Sequence, residues 1–187
     1  MMKVQENWGV LVSQTGSEVI AIAKEIGYLP SLLVTNHLSR IPQDNMRFFG
    51  ENGVILRTLP FRPTLENYLI PELLEKKLIT LHGFLRILPP DFFSQFKGEL
   101  YNGHPGLITY YPELKGKDPQ VRAWKGKYDT VGSVVHKVTE GVDEGEVVRF
   151  SAVPNTAQSL DEMFYMLRST SLQAWKNFFE DNWRFKD

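Results

Sequence analysis

The sequence predicts an α/β protein: an open, twisted, mainly parallel sheet flanked by helices, with an antiparallel strand pair towards the C-terminus. Three observations predict it. Short apolar runs alternate with helical stretches through the first two thirds of the 187 residues, the pattern of right-handed βαβ units. The last third holds two β-rich runs joined by seven residues, Thr139 to Gly145, too few for a helical crossover, so that pair is antiparallel. Hydrophobic residues make up 42% and aromatics 12%, enough to bury one sizeable core. Residues 1–187 are therefore expected to form a single domain.

The elements follow in order. Trp8 to Val12 is an apolar strand ended by the small-residue loop Ser13-Gln14-Thr15-Gly16-Ser17. Glu18 to Ile26 is a helix, with Val19, Ile22, Ala23 and Ile26 on one face and Gly27 as its stop. Leu32 to Thr35 and Gly53 to Leu56 are short strands. Thr64 to Lys77 has helical character, but Pro71 must kink it or split it in two. Leu78 to His82 is a strand, Pro89-Pro90 opens a short helix towards Phe96, and Leu100 to Asn102 is another strand. The antiparallel pair is Gly132 to Val138 with Glu146 to Val153. A long helix from Leu160 to Phe179 closes the chain behind a Ser159/Glu162 capping box. Along it Leu160, Met163, Phe164, Leu167, Ser171, Ala174, Trp175 and Phe178 follow the helical period as core packing.

Composition excludes several classes of function. Lys plus Arg is 21 against 22 for Asp plus Glu, a net charge of −1, whereas a nucleic-acid binder normally shows a basic excess. The absence of cysteine rules out disulfides and thiolate chemistry and suits a reducing compartment. No apolar run reaches the roughly 18 to 20 residues of a membrane span. The start, Met1 to Glu6, is polar and lacks a signal-peptide core. A cytoplasmic protein without nucleic-acid or membrane partners is expected, monomeric or homodimeric.

In such sheets, sites form at the carboxyl ends of the strands. The Ser13 to Ser17 loop runs straight into a helix, so its backbone N–H groups can hold an anion, or it is an ordinary capped turn. It carries neither the P-loop pattern nor G-x-G-x-x-G. Asn102-Gly103-His104-Pro105-Gly106 is the most informative stretch. If the strand continues through Gly103, residues 102 and 104 point the same way, and Pro105 keeps His104 extended. An amide and an imidazole then converge, with two glycines allowing a ligand close approach; the alternative is a turn histidine bonded to nearby backbone. Asp143 lies in Glu140-Gly141-Val142-Asp143-Glu144-Gly145, either a solvated turn or a carboxylate partner for an imidazole. His37 reads as a surface residue, His82 ends a strand, and His136 sits inside an apolar β run. Histidine spacing disfavours a metal, and no G-x-S-x-G elbow supports a serine hydrolase. Lys115, Lys117, Arg122, Lys125 and Lys127 form a basic cluster, a solvated face or an attraction for a phosphorylated substrate.

Leu81-His82-Gly83-Phe84-Leu85-Arg86-Ile87-Leu88, then Tyr101-Asn102-Gly103-His104-Pro105, then Val142-Asp143-Glu144-Gly145 resemble, in order and spacing, the folate-dependent formyltransferases. That family includes glycinamide ribonucleotide, methionyl-tRNA and sugar-nucleotide formyltransferases and formyltetrahydrofolate deformylase. The resemblance runs from Trp8 to the final helix and implies a Rossmann-like domain using 10-formyltetrahydrofolate as co-substrate, with no metal. It implies Asn102, His104 and Asp143 as the catalytic set. Phe84, Arg86, Ile87 and Leu88, with Glu140 and Gly141, would hold the folate. Thr15, Gly16 and Ser17 would take the acceptor's phosphate.

The chain also departs from the family. The phosphate loop, usually Ser-Gly-x-Gly-Ser-Asn, here reads Ser13-Gln14-Thr15-Gly16-Ser17-Glu18, losing a glycine and gaining a carboxylate. Ser171 stands where the ribonucleotide enzymes carry a glutamate, and Pro105-Gly106-Leu107-Ile108-Thr109 replaces the usual Pro-Ser-Leu-Leu-Pro. Lys115-Gly116-Lys117-Asp118-Pro119 is closer to the tRNA and sugar enzymes. The expected activity is formyl transfer from 10-formyltetrahydrofolate to a primary amine, with glycinamide ribonucleotide as leading acceptor and a role in purine biosynthesis. Asn102 and protonated His104 would donate to the developing oxyanion, and Asp143 would hold the imidazolium and take up the amine's proton. The alternatives are another amine (an amino-sugar nucleotide or a modified nucleotide), hydrolysis of the same donor, or a folate- or nucleotide-binding module without turnover.

Overall fold

The first strand, β1 (Lys3–Val12), reaches five residues further back than its apolar core, Trp8 to Val12, predicts. The computed structural model describes residues 2–185; Met1, part of the polar start, lies outside the described residues, as do Lys186 and Asp187. Helix α1 (Ser17–Ile26) buries Val19, Ile22 and Ala23. It stops at Gly27, whose left-handed backbone (φ +79°) lets its N–H reach Ala23 O at 2.9 Å. Strands β2 (Tyr28–Thr35) and β4 (Leu78–His82) both run parallel to β1, and β3 (Ile55–Thr58) runs parallel to β2.

β3 starts two residues later than expected. Helix α2 (Gln43–Glu51), absent from the expected elements, ends in a turn through Gly53, and Val54 N–H closes onto Phe49 O at 2.9 Å. Pro71 splits the next helical stretch as its chemistry demands, into α3 (Leu65–Tyr68) and α4 (Pro71–Leu74). Pro90 opens α5 (Pro90–Gln95).

Strand β5 (Glu99–His104) is two residues longer than predicted at its functional end. Helix α6 (Pro119–Gly126) lies within the basic stretch. Strands β6 (Thr130–Lys137) and β7 (Val147–Pro154) are antiparallel, and α7 (Leu160–Asp181) is the long final helix. The seven strands are ordered β3-β2-β1-β4-β5-β6-β7, the mixed, mostly parallel Rossmann-like sheet.

The chain forms two compact units, Met1–Tyr101 and Asn102–Asp187. In the second, Leu107, Ile108, Leu114, Val131, Val134, Met163 and Leu167 pack together, each contributing on the order of 2 kcal/mol by its burial. Helix α7 buries Met163, Leu167, Ser171, Ala174, Trp175 and Phe178 as expected, together with Thr170 and Phe179. Phe164, near the start of α7, was expected in that stripe but is 44% exposed, while Ser171 and Trp175, on the same side further along the helix, are buried. The capping box is half formed. Ser159 Oγ accepts the Glu162 N–H at 3.2 Å, but the Glu162 carboxylate takes the N–H of Gln158 rather than that of Ser159. Among the described residues no helix is long and apolar enough to cross a membrane.

Candidate active site

The site in Asn102–Asp187 is built on the end of β5. Because the strand persists to His104, Asn102 and His104 share a face across Gly103. The close approach at Gly103 is not left for a ligand. A Cβ there would stand 2.6 Å from Trp175 Nε1 of α7, so glycine admits the indole. A Cβ at Gly106 would likewise stand 3.2 Å from Leu114 Cβ and 3.3 Å from the His104 ring.

Asp143 reaches this face from the turn between β6 and β7, with a left-handed backbone (φ +54°) that is costly for any residue but glycine and least so for Asp and Asn. Its Oδ2 lies 3.3 Å from His104 Nδ1 and accepts the Gly116 N–H at 2.8 Å. Its Oδ1 lies 3.3 Å from His136 Nε2, which is also 3.2 Å from Asn102 Nδ2. One carboxylate thus joins two buried imidazoles, and the second leads to Asn102.

Backbone carbonyls fix one proton on each ring, since a carbonyl only accepts. His104 Nε2 donates to Leu114 O at 2.8 Å, and His136 Nδ1 donates to Lys137 O at 2.7 Å. The remaining nitrogen of each ring faces Asp143. Burial lowers the His104 pKa below its ordinary 6.5, against the opposing pull of Asp143 and of the Leu114 carbonyl. Burial pushes the Asp143 carboxyl up, but the contact from His136, the His104 ring and the Gly116 N–H together hold it below the ordinary 3.8. Without an added proton, the His104 Nδ1 lone pair faces a carboxylate. One proton turns that contact into a charge-assisted hydrogen bond. The direct donation to an oxyanion expected of His104 finds no free ring nitrogen in this arrangement.

Three features of this cluster escaped the sequence reading. His136 carried one signal, an imidazole inside an otherwise apolar strand. The Leu114 carbonyl and the Gly116 N–H carry none, because backbone groups have no sequence identity. The basic cluster also resolves: Lys115, Lys117, Lys125 and Lys127 are exposed, while Arg122 turns in to the carbonyls of Glu113, Leu114 and Lys115. Glu140 is exposed and Gly141 half-buried.

In Met1–Tyr101 the strand ends are tied by a polar network. Leu85 N–H donates to Ser13 Oγ at 2.9 Å, and Ser13 Oγ donates to Asn36 Oδ1 at 2.6 Å. Asn36 Nδ2 and Arg86 Nε both donate to Phe61 O at 2.9 Å, and the Arg86 guanidinium lies 4.4 Å from the Phe61 ring centroid. Phe84 meets the Tyr68 ring edge-on, Leu88 is buried, and Leu85 and Ile87 are exposed. In the loop before α1, Thr15 and Ser17 hydroxyls pair at 2.8 Å, Gly16 is left-handed (φ +73°), and Asn45 Nδ2 donates to Thr15 O at 2.8 Å. Glu18 does not point into that loop; its carboxylate bonds the buried His82 Nδ1 at 2.9 Å, whose Nε2 meets Thr80 Oγ1. His37, expected at the surface, is half-buried with its edge on Phe61. Among the described residues no His, Asp and Glu group is arranged to hold a metal.

Residues 64–170, more than half of the chain, match the family described as formyl transferase. A trifunctional purine biosynthetic protein adenosine-3 from Chironomus tentans is 37% identical over 110 residues, 57% of this chain and 8% of that protein. A phosphoribosylglycinamide formyltransferase from Haemophilus influenzae is 34% identical over 115 residues, 59% of this chain and 53% of that one. The chain thus spans about half of the second relative and a small part of the first. Among solved structures, a phosphoribosylglycinamide formyltransferase from Streptococcus pneumoniae superposes with a TM-score of 0.75 at 25% identity, covering 96% of this chain and 98% of that one. One from Anaplasma phagocytophilum gives 0.79 at 22% identity, covering 92% and 84%, a likeness of fold.

Proposed function

The chain belongs to the formyl transferase family, and on that premise we propose that it moves a formyl group from 10-formyltetrahydrofolate to a primary amine, glycinamide ribonucleotide being the leading acceptor. The observation that carries the reading is the Asp143 carboxylate clasped between His104 and His136, with Asn102 one hydrogen bond away. The names of the purine-pathway relatives support the acceptor.

In the reaction, the amine nitrogen bonds to the formyl carbon, the bond from that carbon to the folate nitrogen breaks, and the amine loses a proton. The tetrahedral intermediate carries an oxyanion, which calls for a donor and a nearby positive charge. Asn102 supplies the amide donor. His104 supplies the charge when it takes a second proton against Asp143, a state that its burial makes rarer than for an ordinary imidazole. It supplies no free N–H, because Leu114 O and Asp143 engage both its nitrogens. Asp143 takes up the amine's proton, directly or through water. The chain acts as one formyltransferase domain.

Folate contacts are assigned to Phe84, Arg86, Ile87, Leu88, Glu140 and Gly141. The exposed Leu85 and Ile87 flanking Arg86 support a segment open to a ligand. Thr15, Gly16 and Ser17 take the acceptor's phosphate; that Glu18 is bonded to His82 supports this, since its carboxylate is drawn away from the loop. A chain without cysteine suits the cytoplasm. The test is donor turnover, followed by absorbance, with glycinamide ribonucleotide, with other amines and with none. Turnover that needs the ribonucleotide supports the reading. Turnover without any amine would make the protein a hydrolase, and none at all a binding module.

A further inference from the structure

One segment, Glu113 to Gly116, reaches both partners of the catalytic pair. Leu114 O accepts from His104 Nε2 at 2.8 Å, and two residues on Gly116 N–H donates to Asp143 Oδ2 at 2.8 Å. The segment has no regular structure of its own beyond a single short turn, Pro112–Leu114. The buried Leu114 side chain, the Tyr128 hydroxyl on the Glu113 carboxylate and the turn's own backbone bonds anchor it, and Arg122, projecting from α6, grips its carbonyls from the side. Its NH1 donates to Glu113 O, and its NH2 to Leu114 O at 3.3 Å and Lys115 O at 2.7 Å. A planar guanidinium can hold three successive carbonyls; an ammonium on a flexible stem cannot.

The position of Leu114 O has a chemical consequence. A neutral imidazole carries one proton, and the two nitrogens of His104 compete for it. Asp143 offers Nδ1 a charged acceptor, the stronger of the two; Leu114 O offers Nε2 a neutral one. The carbonyl is the closer acceptor, at 2.8 Å against 3.3 Å to Asp143 Oδ2, and Nε2 keeps the proton only while the carbonyl is held at that shorter distance. We propose that Arg122 is a positioning residue, whose fork holds Leu114 O against His104 Nε2 and so sets which ring nitrogen carries the proton. With Nε2 occupied, any further proton goes between Nδ1 and Asp143, the charged pair that the proposed transfer uses; the effect on turnover, though not on the ring, rests on that reading. The charged groups facing His104 are Asp143 from the β6–β7 turn, His136 from β6 and Arg122 from α6.

The test is the ring-nitrogen NMR signature of His104 in the full chain, above the pH at which it loses its extra proton. The wild type should show neutral His104 protonated at Nε2. In Arg122→Gln and in Arg122→Lys, the proton should move to Nδ1, where Asp143 accepts it. The lysine variant keeps the charge and tests the fork. In both, kcat should fall by roughly ten- to a hundredfold, the cost of a misplaced catalytic group, with donor affinity unchanged. Should one variant fail to fold, the other carries the same test. Neutral His104 still protonated at Nε2 in a folded variant overturns the proposal. A shifted proton in a protein that transfers no formyl group supports the role of Arg122 and sinks only the proposed reaction.

Discussion

Asp143 accepts a strained backbone (φ +54°) so that its two oxygens can face two imidazoles. Asparagine tolerates the same left-handed conformation, so Asp143→Asn removes the charge and leaves the turn intact. That makes it the cleanest single substitution in the cluster. On the proposed reaction, Asn102→Ala removes the donor to the oxyanion and His104→Ala the positive charge beside it. Each should cost on the order of a hundred- to a thousandfold in kcat, the usual loss for one oxyanion-stabilising group. The His104→Ala/Asp143→Asn double variant should be little worse than the worse single one, because the pair acts as a unit. Single and double variants compared in one steady-state assay check this. In the first unit, Arg86 donates to Phe61 O and stacks on the Phe61 ring, contacts that fix the arginine without requiring it to touch folate. Arg86→Ala should therefore weaken donor binding less than Gly83→Pro, which cannot adopt the φ of +59° found at that glycine. Donor titration of both variants decides it; the proposal is that Phe84 to Leu88 hold the folate mainly through backbone groups, and a large, isolated loss in Arg86→Ala would contradict it.

At the level of elements, the β5–α7 packing decides where the site stands. A Cβ at Gly103 would meet Trp175 Nε1 at 2.6 Å, so Gly103→Ala should overpack this contact and destabilise the protein by about 1–3 kcal/mol. Urea unfolding measures it; an unchanged midpoint would show that the indole yields freely. The elements were legible where periodicity and side-chain chemistry agree: Pro71 split its helix, Gly27 ended α1, and a connection too short for a helical crossover made β6 and β7 antiparallel. They were less legible where tertiary contacts decide. The start of β3 slid by two residues because the turn after α2 draws Val54 back onto Phe49. Within the candidate site, alternation places Asn102 and His104 on one face, but in sequence Gly103 is equally compatible with room for a ligand. Only the position of Trp175, 72 residues on, shows what fills that room. His136 and Arg122 were hidden for a related reason, since an apolar strand and a lysine-rich stretch are equally compatible with inert roles.

For the whole molecule, the buried cluster ties stability to pH. His104 binds its proton less readily in the fold than in the unfolded chain, so stability falls as pH drops through the ordinary imidazole value of 6.5. Asp143, held below its ordinary 3.8, contributes stability above that value and loses it as the pH falls further. Both terms have the same sign, so unfolding midpoints should decline on acidification from neutral pH, and Asp143→Asn should lose the lower part of that decline. A midpoint that rises between pH 7 and pH 5 would contradict the burial assigned to His104. The family match spans residues 64–170, taking in parts of both compact units and all three of Asn102, His104 and Asp143. The central claim is that this set moves the formyl group. The most direct test is steady-state formyl transfer to glycinamide ribonucleotide by wild type and Asp143→Asn, with donor affinity measured separately on each folded protein. The account predicts a loss of at least a hundredfold in kcat with donor binding retained. Near-wild-type turnover in Asp143→Asn would contradict it and move the role to Glu140 or Glu144.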